Sequence, residues 1–398
     1  MNTAEIINMS ENYLAHTYGR YPLALVKGAG VKVWDADGKE YLDFVSGLAV
    51  CNLGHCHPKV TEAIKKQAET LIHVSNLYHI QPQAELAQLL VKNSFADGVF
   101  FCNSGAEANE AAIKLARRYS FDTFGAGRSE IITMNNSFHG RTMATVSATG
   151  QDKFKKGFEP LLPGFKHVPF NDLTALEAAT SDETCAVLVE PIQGEGGVNV
   201  PSDDYLEGVR ALCDEKNLLL ILDEVQVGMG RTGKFFAYEN YGIEPDIITL
   251  AKGIAGGVPM GAMMAKKPVI NSFVPGTHAS TFGGNPLSSS AGVASVSTIL
   301  NDSILENCLS MEKILKEKLT QLQTKYEFIK EVRGKGLIYG MELDFEGGHI
   351  VTKMMEKGFL INCAAAYVLR FLPPLIVSEK EIGEMADALD EVLGGLER

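Results

Sequence analysis

The sequence has no long hydrophobic run and little positive charge. No segment of its 398 residues approaches the ~20 uninterrupted apolar residues that cross a bilayer. The start, MNTAEIINMSENYL, lacks the basic residues and apolar run of a secretory signal. Acidic residues (49) outnumber Lys and Arg (36), so the formal net charge is −13. Because nucleic acid and anionic lipid bind basic surfaces, we expect a cytoplasmic protein with small-molecule ligands, no nucleic-acid partner and no membrane partner.

The cysteines do not form the pattern of a disulfide framework. Their number, seven, is odd, and they are scattered along the chain, as is typical of thiols in a reducing compartment. The densest group lies in CNLGHCHP, where Cys51, His55, Cys56 and His57 could supply metal ligands. Its C-x4-C spacing has no second matching pair elsewhere. We therefore expect no metal site.

Repeats, low-complexity tracts and long linkers are also absent, and the pattern of apolar residues changes twice along the chain. Residues 31–44 alternate around a glycine turn, which predicts a hairpin. From about residue 98, short apolar runs alternate with helical stretches, which predicts a largely parallel sheet with helices on both faces. Later segments predict a smaller α+β domain, with helices at 286–301 and 303–326, strands near 336–343, 359–363 and 368–372, and a last amphipathic helix from Ser378.

Ligands of such sheets bind beyond the carboxyl ends of the strands. After the apolar run VFFC comes NSGAEANEAA, in which Ser104 can cap a helix and Glu107 can complete a capping box. The outward amides of Gly105 and Ala106, with the helix dipole, suit a phosphate. A plain helix cap with no ligand explains the same motif.

Two further loops follow predicted strands. SFHGRT places an aromatic ring, Phe138, and a cation, Arg141, close together, which suits a flat, anionic ligand. His139 between them is more often a hydrogen-bonded structural residue than a catalyst. PIQGEGGV places Glu195 among three glycines on a pliable loop. A solvated turn is the alternative for that loop.

A lysine and an aspartate follow two other apolar runs. Lys252 comes after DIITLA, where partial desolvation would lower its pKa and make it a nucleophile towards an aldehyde. A lone lysine in such a position is usually a surface residue whose ammonium group reaches solvent. Asp223 ends the run LLLIL and is too costly to bury without a partner. A pyridinium nitrogen would be a fitting partner, so the two assignments support each other.

The stretch LLILDEVQVGMGRTGKFF also resembles an acidic strand followed by a nucleotide phosphate loop. Residues 228–234 fit the first seven positions of G-x-x-x-x-G-K, but the eighth is Phe235 instead of the Ser or Thr that holds magnesium. The segment that follows contains Gly242 and Pro245 and predicts no long helix. This pattern argues against an ATPase.

Taken in order, these motifs resemble the class III (fold type I) pyridoxal-phosphate aminotransferases along nearly the whole chain. The resemblance rests on YLDFVSGLAVCNLGHCHP, FCNSGAEANEAAIKLAR, SFHGRT, VEPIQGEGGV, LDEVQVGMGRTG, TLAKGIAGGVPMGA, STFGGNPL and INCAAAYVLRFLPPLIV. It implies an α/β fold: a large domain with a mainly parallel seven-stranded sheet, plus a smaller α+β domain. The implied parts are an N-terminal segment that packs with the small domain (1–50), a cofactor-binding domain (51–285) and a small domain (286–398).

The resemblance also implies the residue roles. Lys252 would attach pyridoxal 5'-phosphate and then move the proton, and Asp223 would pair with the ring nitrogen. The remaining cofactor contacts would come from Gly105, Ala106, Phe138, Glu224, Val225, Gln226 and, from the neighbouring subunit of a homodimer with shared active sites, Thr281. The substrate carboxylates would be bound by Arg141, with Ser280 nearby, and by Arg370. Glu195, also in the substrate site, would pair with Arg370 while the amine donor is bound.

The implied reaction moves the terminal amino group of N2-acetyl-L-ornithine to 2-oxoglutarate, in arginine biosynthesis. Ornithine, N-succinylornithine and succinyldiaminopimelate stay open as donors, and a binding protein that has lost catalysis is a more distant alternative. The sequence departs from the family pattern at two places. Ala255 stands where a glycine is expected, and Ala364–Tyr367 replaces a more polar run before Arg370.

Overall fold

The computed structural model describes residues 1–396, and the chain begins with a small N-terminal segment. Its elements are α1 (Thr3–Tyr13), β1 (Leu25–Ala29), β2 (Lys32–Asp35), β3 (Glu40–Asp43) and α2 (Ser46–Ala49). Strands β2 and β3 pair antiparallel, as the hairpin pattern predicts. Gly38 in their turn has a φ of 89°, which a residue with a side chain rarely adopts. Helix α1 was not predicted from the sequence.

Helices and strands alternate through the central part of the chain. The elements are α3 (Pro58–Thr70), α4 (Gln81–Lys92), β4 (Gly98–Cys102), α5 (Gly105–Phe124), β5 (Glu130–Met134), α6 (Met143–Ala148), β6 (Phe165–Val168), α7 (Leu173–Ala179), β7 (Thr184–Val189), α8 (Tyr205–Lys216), β8 (Leu219–Asp223), β9 (Ile247–Leu250), β10 (Gly261–Ala265) and α9 (Lys267–Ile270). Short 3-10 helices cover Asp152–Phe154, Ala237–Tyr241 and Lys252–Ala255. No long helix follows residues 228–234, in agreement with the argument against a phosphate loop.

One seven-stranded sheet collects all the strands of this part, in the order β4-β10-β9-β8-β7-β5-β6. Strand β10 is antiparallel to both of its neighbours, and the other pairs are parallel. The predicted mainly parallel sheet is confirmed. Because helices cover both faces, β7, β8 and β9 are buried at every position and therefore read as unbroken apolar runs in the sequence.

The C-terminal part holds α10 (Pro286–Asn301), α11 (Ile304–Lys325), β11 (Ile329–Lys335), β12 (Ile338–Leu343), α12 (Gly348–Glu356), β13 (Phe359–Leu360), β14 (Asn362–Ala364), β15 (Val368–Phe371) and α13 (Glu379–Gly394). Four of its strands form an antiparallel sheet in the order β11-β12-β15-β14. Strand β13 instead pairs with β3, which joins the N-terminal segment to this part. The domain limits given above stay a prediction.

The core lies on both faces of the seven-stranded sheet. Leu220 and Leu222 of β8 belong to one hydrophobic cluster, and Leu219 and Ile221 belong to another, because successive side chains of a strand point to opposite faces. A strand buried in this way is rigid, so the residue at its end has a fixed position. Within residues 1–396, no helix is long and apolar enough to cross a membrane.

Candidate active site

A cavity of about 480 Å³ lies beyond the carboxyl ends of the parallel strands, where α/β sheets bind ligands. Its wall includes the residues that follow β5, β7, β8 and β9. Nine residues predicted from the sequence line it: Gly105, Ala106, Phe138, Arg141, Glu195, Asp223, Val225, Gln226 and Lys252. The sheet thus brings together residues that are far apart in the sequence.

Helix α5 begins at this wall. Its cap residue Ser104 accepts a hydrogen bond from the Glu107 amide at 3.2 Å, as predicted. The Glu107 carboxylate, however, accepts from the amide and side chain of Asn103, so the predicted full capping box is wrong. A Cβ on Gly105 would lie 2.7 Å from Val225 Cγ1. A glycine is therefore required here, and the first amides of α5 suit an anion at the positive end of the helix dipole.

Asp223 ends β8 and is 4% exposed. Its Oδ2 accepts a hydrogen bond from Asn109 Nδ2 at 2.7 Å and pairs with His139 Nδ1 at 2.8 Å. Its Oδ1 accepts from the Val225 amide at 3.0 Å. Asn109 is itself fixed, because its Oδ1 accepts from the hydroxyl of Thr249 at 2.8 Å. These contacts hold the carboxylate at the cavity wall, where a cationic ring nitrogen could pair with it.

Lys252 follows β9 and opens a 3-10 helix. Its φ is 43°, a left-handed conformation that is uncommon for a lysine and typical of strained functional positions. Burial lowers the pKa of its ammonium group, and the cation Arg370 lowers it further against the opposing effect of Glu195 and other carboxylates. A lowered pKa increases the share of neutral amine, the form that acts as nucleophile or base.

Arg370 on β15 is 1% exposed, and its Nη1 donates to Glu195 Oε1 at 2.8 Å and to Gln226 Oε1 at 3.3 Å. Burial alone would raise the pKa of Glu195, but the Arg370 guanidinium holds it below its usual value. A Cβ on Gly194 would lie 1.7 Å from Gln226 Oε1. Because Gly194 has no side chain, the Gln226 side chain can occupy this space.

Sequence reasoning missed Glu190, a buried acid of the same cavity. It follows β7 as Asp223 ends β8, so the same argument from a carboxylate after an apolar run could have found it. Glu190 Oε2 accepts from the Phe138 amide at 3.1 Å. Burial raises its pKa well above the usual range, and the neighbouring Asp223 adds to this. Its surroundings therefore favour the protonated form of this side chain more than those of a solvent-exposed glutamate do.

Arg141 is exposed at the mouth of the cavity. Its guanidinium lies 3.8 Å from the ring centre of Phe154 and 5.4 Å from that of Phe138. The two rings meet edge to face at 5.7 Å. The arginine is thus held over aromatic faces with its charge available to a ligand carboxylate.

Three predicted residues lie outside the cavity wall. The Glu224 carboxylate accepts from the amides of Ala237 and Tyr238 at 2.6 and 2.7 Å, so it is turned towards a loop, and burial raises its pKa to about 8. Ser280 accepts from Asn103 Nδ2 at 3.3 Å, and Thr281 is exposed beside it. Both lie in the segment between α9 and α10.

The cysteine and histidine cluster of CNLGHCHP forms no metal centre in the part of the chain that the structure describes, where no suitable group of three or more ligands occurs. His55 Nε2 instead pairs with Asp43 Oδ2 at 2.7 Å. This hydrogen bond, with a second that the ring donates to Cys51, raises the pKa of His55 to about 10. Cys56 is exposed.

Pyridoxal phosphate, the group that the resemblance implies, fits the residues present. Gln226 Nε2 is buried and has no hydrogen-bond partner within residues 1–396, so a donor is available beside the cavity for a ring oxygen. The amides at the start of α5 suit a phosphate, and Asp223 suits a ring nitrogen. The anion site, the carboxylate and the lysine all border one cavity.

The strand order, the lysine after β9 and the buried aspartate at the end of β8 define an aminotransferase of the fold type I α/β class. The model of the family "Aminotransferase class-III" matches residues 13–393, and the chain belongs to that family. Both predictions, of the family and of an enzyme, are confirmed. The protein is an aminotransferase that acts on small molecules.

Similar proteins and structures support this membership. An acetylornithine aminotransferase from Methanocaldococcus jannaschii is 54% identical, over 98% of this chain and 98% of its own. A crystal structure of the ornithine aminotransferase from Toxoplasma gondii, described as having partial occupancy of PLP at its active site, has a TM-score of 0.94 at 34% identity and covers 98% of this chain and 94% of its own. The acetylornithine aminotransferase of Elizabethkingia anophelis has a TM-score of 0.90 at 33% identity over both full chains.

Proposed function

We propose that this protein is a pyridoxal-phosphate-dependent transaminase that moves the terminal amino group of N2-acetyl-L-ornithine to 2-oxoglutarate. The products are N-acetyl-L-glutamate 5-semialdehyde and L-glutamate, and the role is in arginine biosynthesis. The observation that carries the proposal is the buried Arg370, paired with Glu195 in the same site as Lys252. The relatives named acetylornithine aminotransferase support the choice of donor.

Bound in the cavity, pyridoxal phosphate supplies an aldehyde for the amino group and a ring that accepts electrons. The first amides of α5, at Gly105 and Ala106, would hold its phosphate, and Phe138 would contact its ring. Asp223 would pair with the ring nitrogen, and Gln226, whose Nε2 has no partner within residues 1–396, would donate to the ring hydroxyl oxygen. Val225 belongs to the wall beside Gly105. Glu224 acts indirectly, through the loop that it holds.

Lys252 is the residue that moves the proton. Its Nζ would hold the cofactor when no substrate is bound. Once free, the Nζ would take a proton from one substrate carbon and return it to a neighbouring atom. Because burial lowers the pKa of this amine, its neutral form is available for the first of these two steps.

Two arginines bind the carboxylates of two unlike substrates. Arg141 binds the α-carboxylate of the acylated donor, with Ser280 nearby. Glu195 neutralises Arg370 while the donor is bound and moves away when 2-oxoglutarate or glutamate needs that guanidinium. One site can in this way serve both halves of the reaction.

The active unit is a homodimer in which Thr281 of the partner subunit contacts the phosphate. The surface around Thr281 supports this proposal, since it forms a hollow of about 770 Å³ bordered by Leu77, whose side chain is 83% exposed. Phe282 next to it is also exposed. Large apolar side chains exposed in this way are typical of subunit interfaces. The cytoplasmic location stays a prediction.

The test is to measure kcat/KM for N2-acetyl-L-ornithine, ornithine, N-succinylornithine and succinyldiaminopimelate with 2-oxoglutarate as acceptor. The proposal expects the highest value for the acetylated donor. A strong preference for free ornithine would refute the donor while leaving the aminotransferase in place. Colour and borohydride reduction test the cofactor separately: the protein should be yellow, and reduction should fix the cofactor on Lys252. A colourless protein that takes up no added cofactor would favour a binding protein without catalysis.

A further inference from the structure

One row of residues crosses the small antiparallel sheet. Arg333 on β11 is in register with Gly340 on β12, and Gly340 is in register with Arg370 on β15. Residues directly opposite one another on paired strands share a face of the sheet. The two arginines therefore lie on the same face, with a position between them that has no side chain.

The loop that carries Glu195 lies over this row. Its base is closed by two backbone hydrogen bonds of 3.0 Å between Gln193 and Asn199. Val198 of the loop occupies the space over Gly340, since a Cβ on that glycine would lie 3.0 Å from Val198 Cβ. Val198 also has a φ of 54°, a left-handed conformation that is strained for a β-branched residue. The loop needs an external restraint to keep this shape.

Arg333 supplies that restraint. Its Nη2 donates to the Gly197 carbonyl at 2.7 Å and its Nε donates to the Val198 carbonyl at 3.0 Å. Its Nη1 contacts the carboxylates of Glu331 and Glu342, which are in register with each other across β11 and β12. The guanidinium thus fixes the strained part of the loop and separates two like charges, while Arg370 holds the same loop at Glu195.

We infer that Arg333 is a positioning residue that keeps Glu195 on Arg370 and so sets the preference of the site between the amine donor and the dicarboxylate acceptor. The inference rests on the proposed function. Without the two carbonyl contacts, the strained loop relaxes and Glu195 leaves Arg370 more often. An unpaired Arg370 attracts a dicarboxylate and repels a donor that still carries its ammonium charge.

The test is Arg333→Lys, which keeps a cation between the two glutamates but cannot make both carbonyl contacts. We expect kcat/KM for the amine donor to fall about five- to tenfold, the effect of losing one to two hydrogen bonds. We expect kcat/KM for 2-oxoglutarate to stay unchanged or to rise. The matched control is Lys330→Gln, which removes an exposed cation from the same strand without touching the loop. It should change neither value.

A binding measurement that needs no turnover tests the same point. Glutarate should bind several-fold more tightly to Arg333→Lys than to the parent in calorimetry, because a larger fraction of Arg370 is free. In a Glu195→Ala background, Arg333→Lys should change neither the substrate ratio nor the affinity for glutarate. The inference is overturned if Arg333→Lys lowers kcat/KM equally for both substrates or leaves the affinity for glutarate unchanged. It is also overturned if Arg333→Lys has the same effect in the Glu195→Ala background as in the parent. A parent that transaminates no donor would instead refute the proposed function.

Discussion

Gly194→Ala tests whether the cavity depends on the position of the Gln226 amide. The added Cβ would lie 1.7 Å from Gln226 Oε1 and 2.7 Å from its Cδ, so the side chain has to rotate away. It then loses its 3.3 Å contact with Arg370 Nη1, and its unpaired Nε2 hydrogen leaves the place proposed for the cofactor hydroxyl. The Gly194 backbone is not in the left-handed region, so the effect comes from the clash alone.

The expected magnitude follows from one hydrogen bond and one overpacked position. Loss of the bond to the cofactor costs about 0.5–1.5 kcal/mol, which weakens pyridoxal-phosphate binding about two- to tenfold. Overpacking lowers the free energy of unfolding by about 1–3 kcal/mol. The first effect is measured by titrating the cofactor-free protein with pyridoxal phosphate and following absorbance. The second is measured by urea unfolding.

Two further variants decide whether the reasoning holds. Gly383→Ala, in helix α13, adds a Cβ with no atom within 4 Å and should leave cofactor affinity unchanged. Gln226→Ala removes the side-chain amide with which the added Cβ clashes. Adding Gly194→Ala to that variant should therefore weaken pyridoxal-phosphate binding no further. If Gly194→Ala lowers the affinity as much in that background as in the parent, the clash with Gln226 is not the cause and the argument is refuted.

Three predictions concern stability, measured by urea unfolding. His55→Gln should lower the free energy of unfolding by roughly 2–4 kcal/mol at pH 6. Because Asp43 raises the pKa of His55 to about 10, this loss of stability should shrink as the pH rises from 6.5 to 10. A loss that does not change with pH contradicts the prediction. Arg231→Met should lower the free energy of unfolding by about 2–4 kcal/mol, because three acceptors lose the buried guanidinium that donates to them. An unchanged free energy of unfolding contradicts this. The double substitution Ala365→Asn with Ala366→Gly should raise the free energy of unfolding by about 1–2 kcal/mol, because both alanines have positive φ. A lower free energy of unfolding contradicts this.

The fold could be predicted where burial on both faces left a simple pattern. The seven apolar runs from VFFC to GAMMA became the seven strands of one sheet, because parallel strands covered by helices need apolar residues at nearly every position. Strand β11, IKEVRGK, was missed because most of its residues are not buried, so the alternation that marks a strand is weak. The direction of β10 could not be read either, since an apolar run looks the same whichever way it points.

The site could be predicted in part, from the rule that ligands bind at strand ends. This rule selected Asp223 and Lys252 without reference to any contact. The partners of Asp223 could not be found this way, because Asn109 and His139 reach it across 114 and 84 positions of the chain. His139 in particular was expected to be structural, and its place in the cavity wall and its 2.8 Å contact with Asp223 show that it belongs to the site.

Two acids of the cavity look alike in the sequence but differ in their surroundings. Glu190 follows AVLV and Asp223 follows LLIL, so each is a carboxylic acid at the end of a buried strand. Asp223 accepts from Asn109 and from the Val225 amide and pairs with His139. Burial and the nearby Asp223 raise the pKa of Glu190 well above its usual range. Asp223, fixed by donors on both of its carboxylate oxygens, is therefore the acid suited to pair with a cationic ring nitrogen.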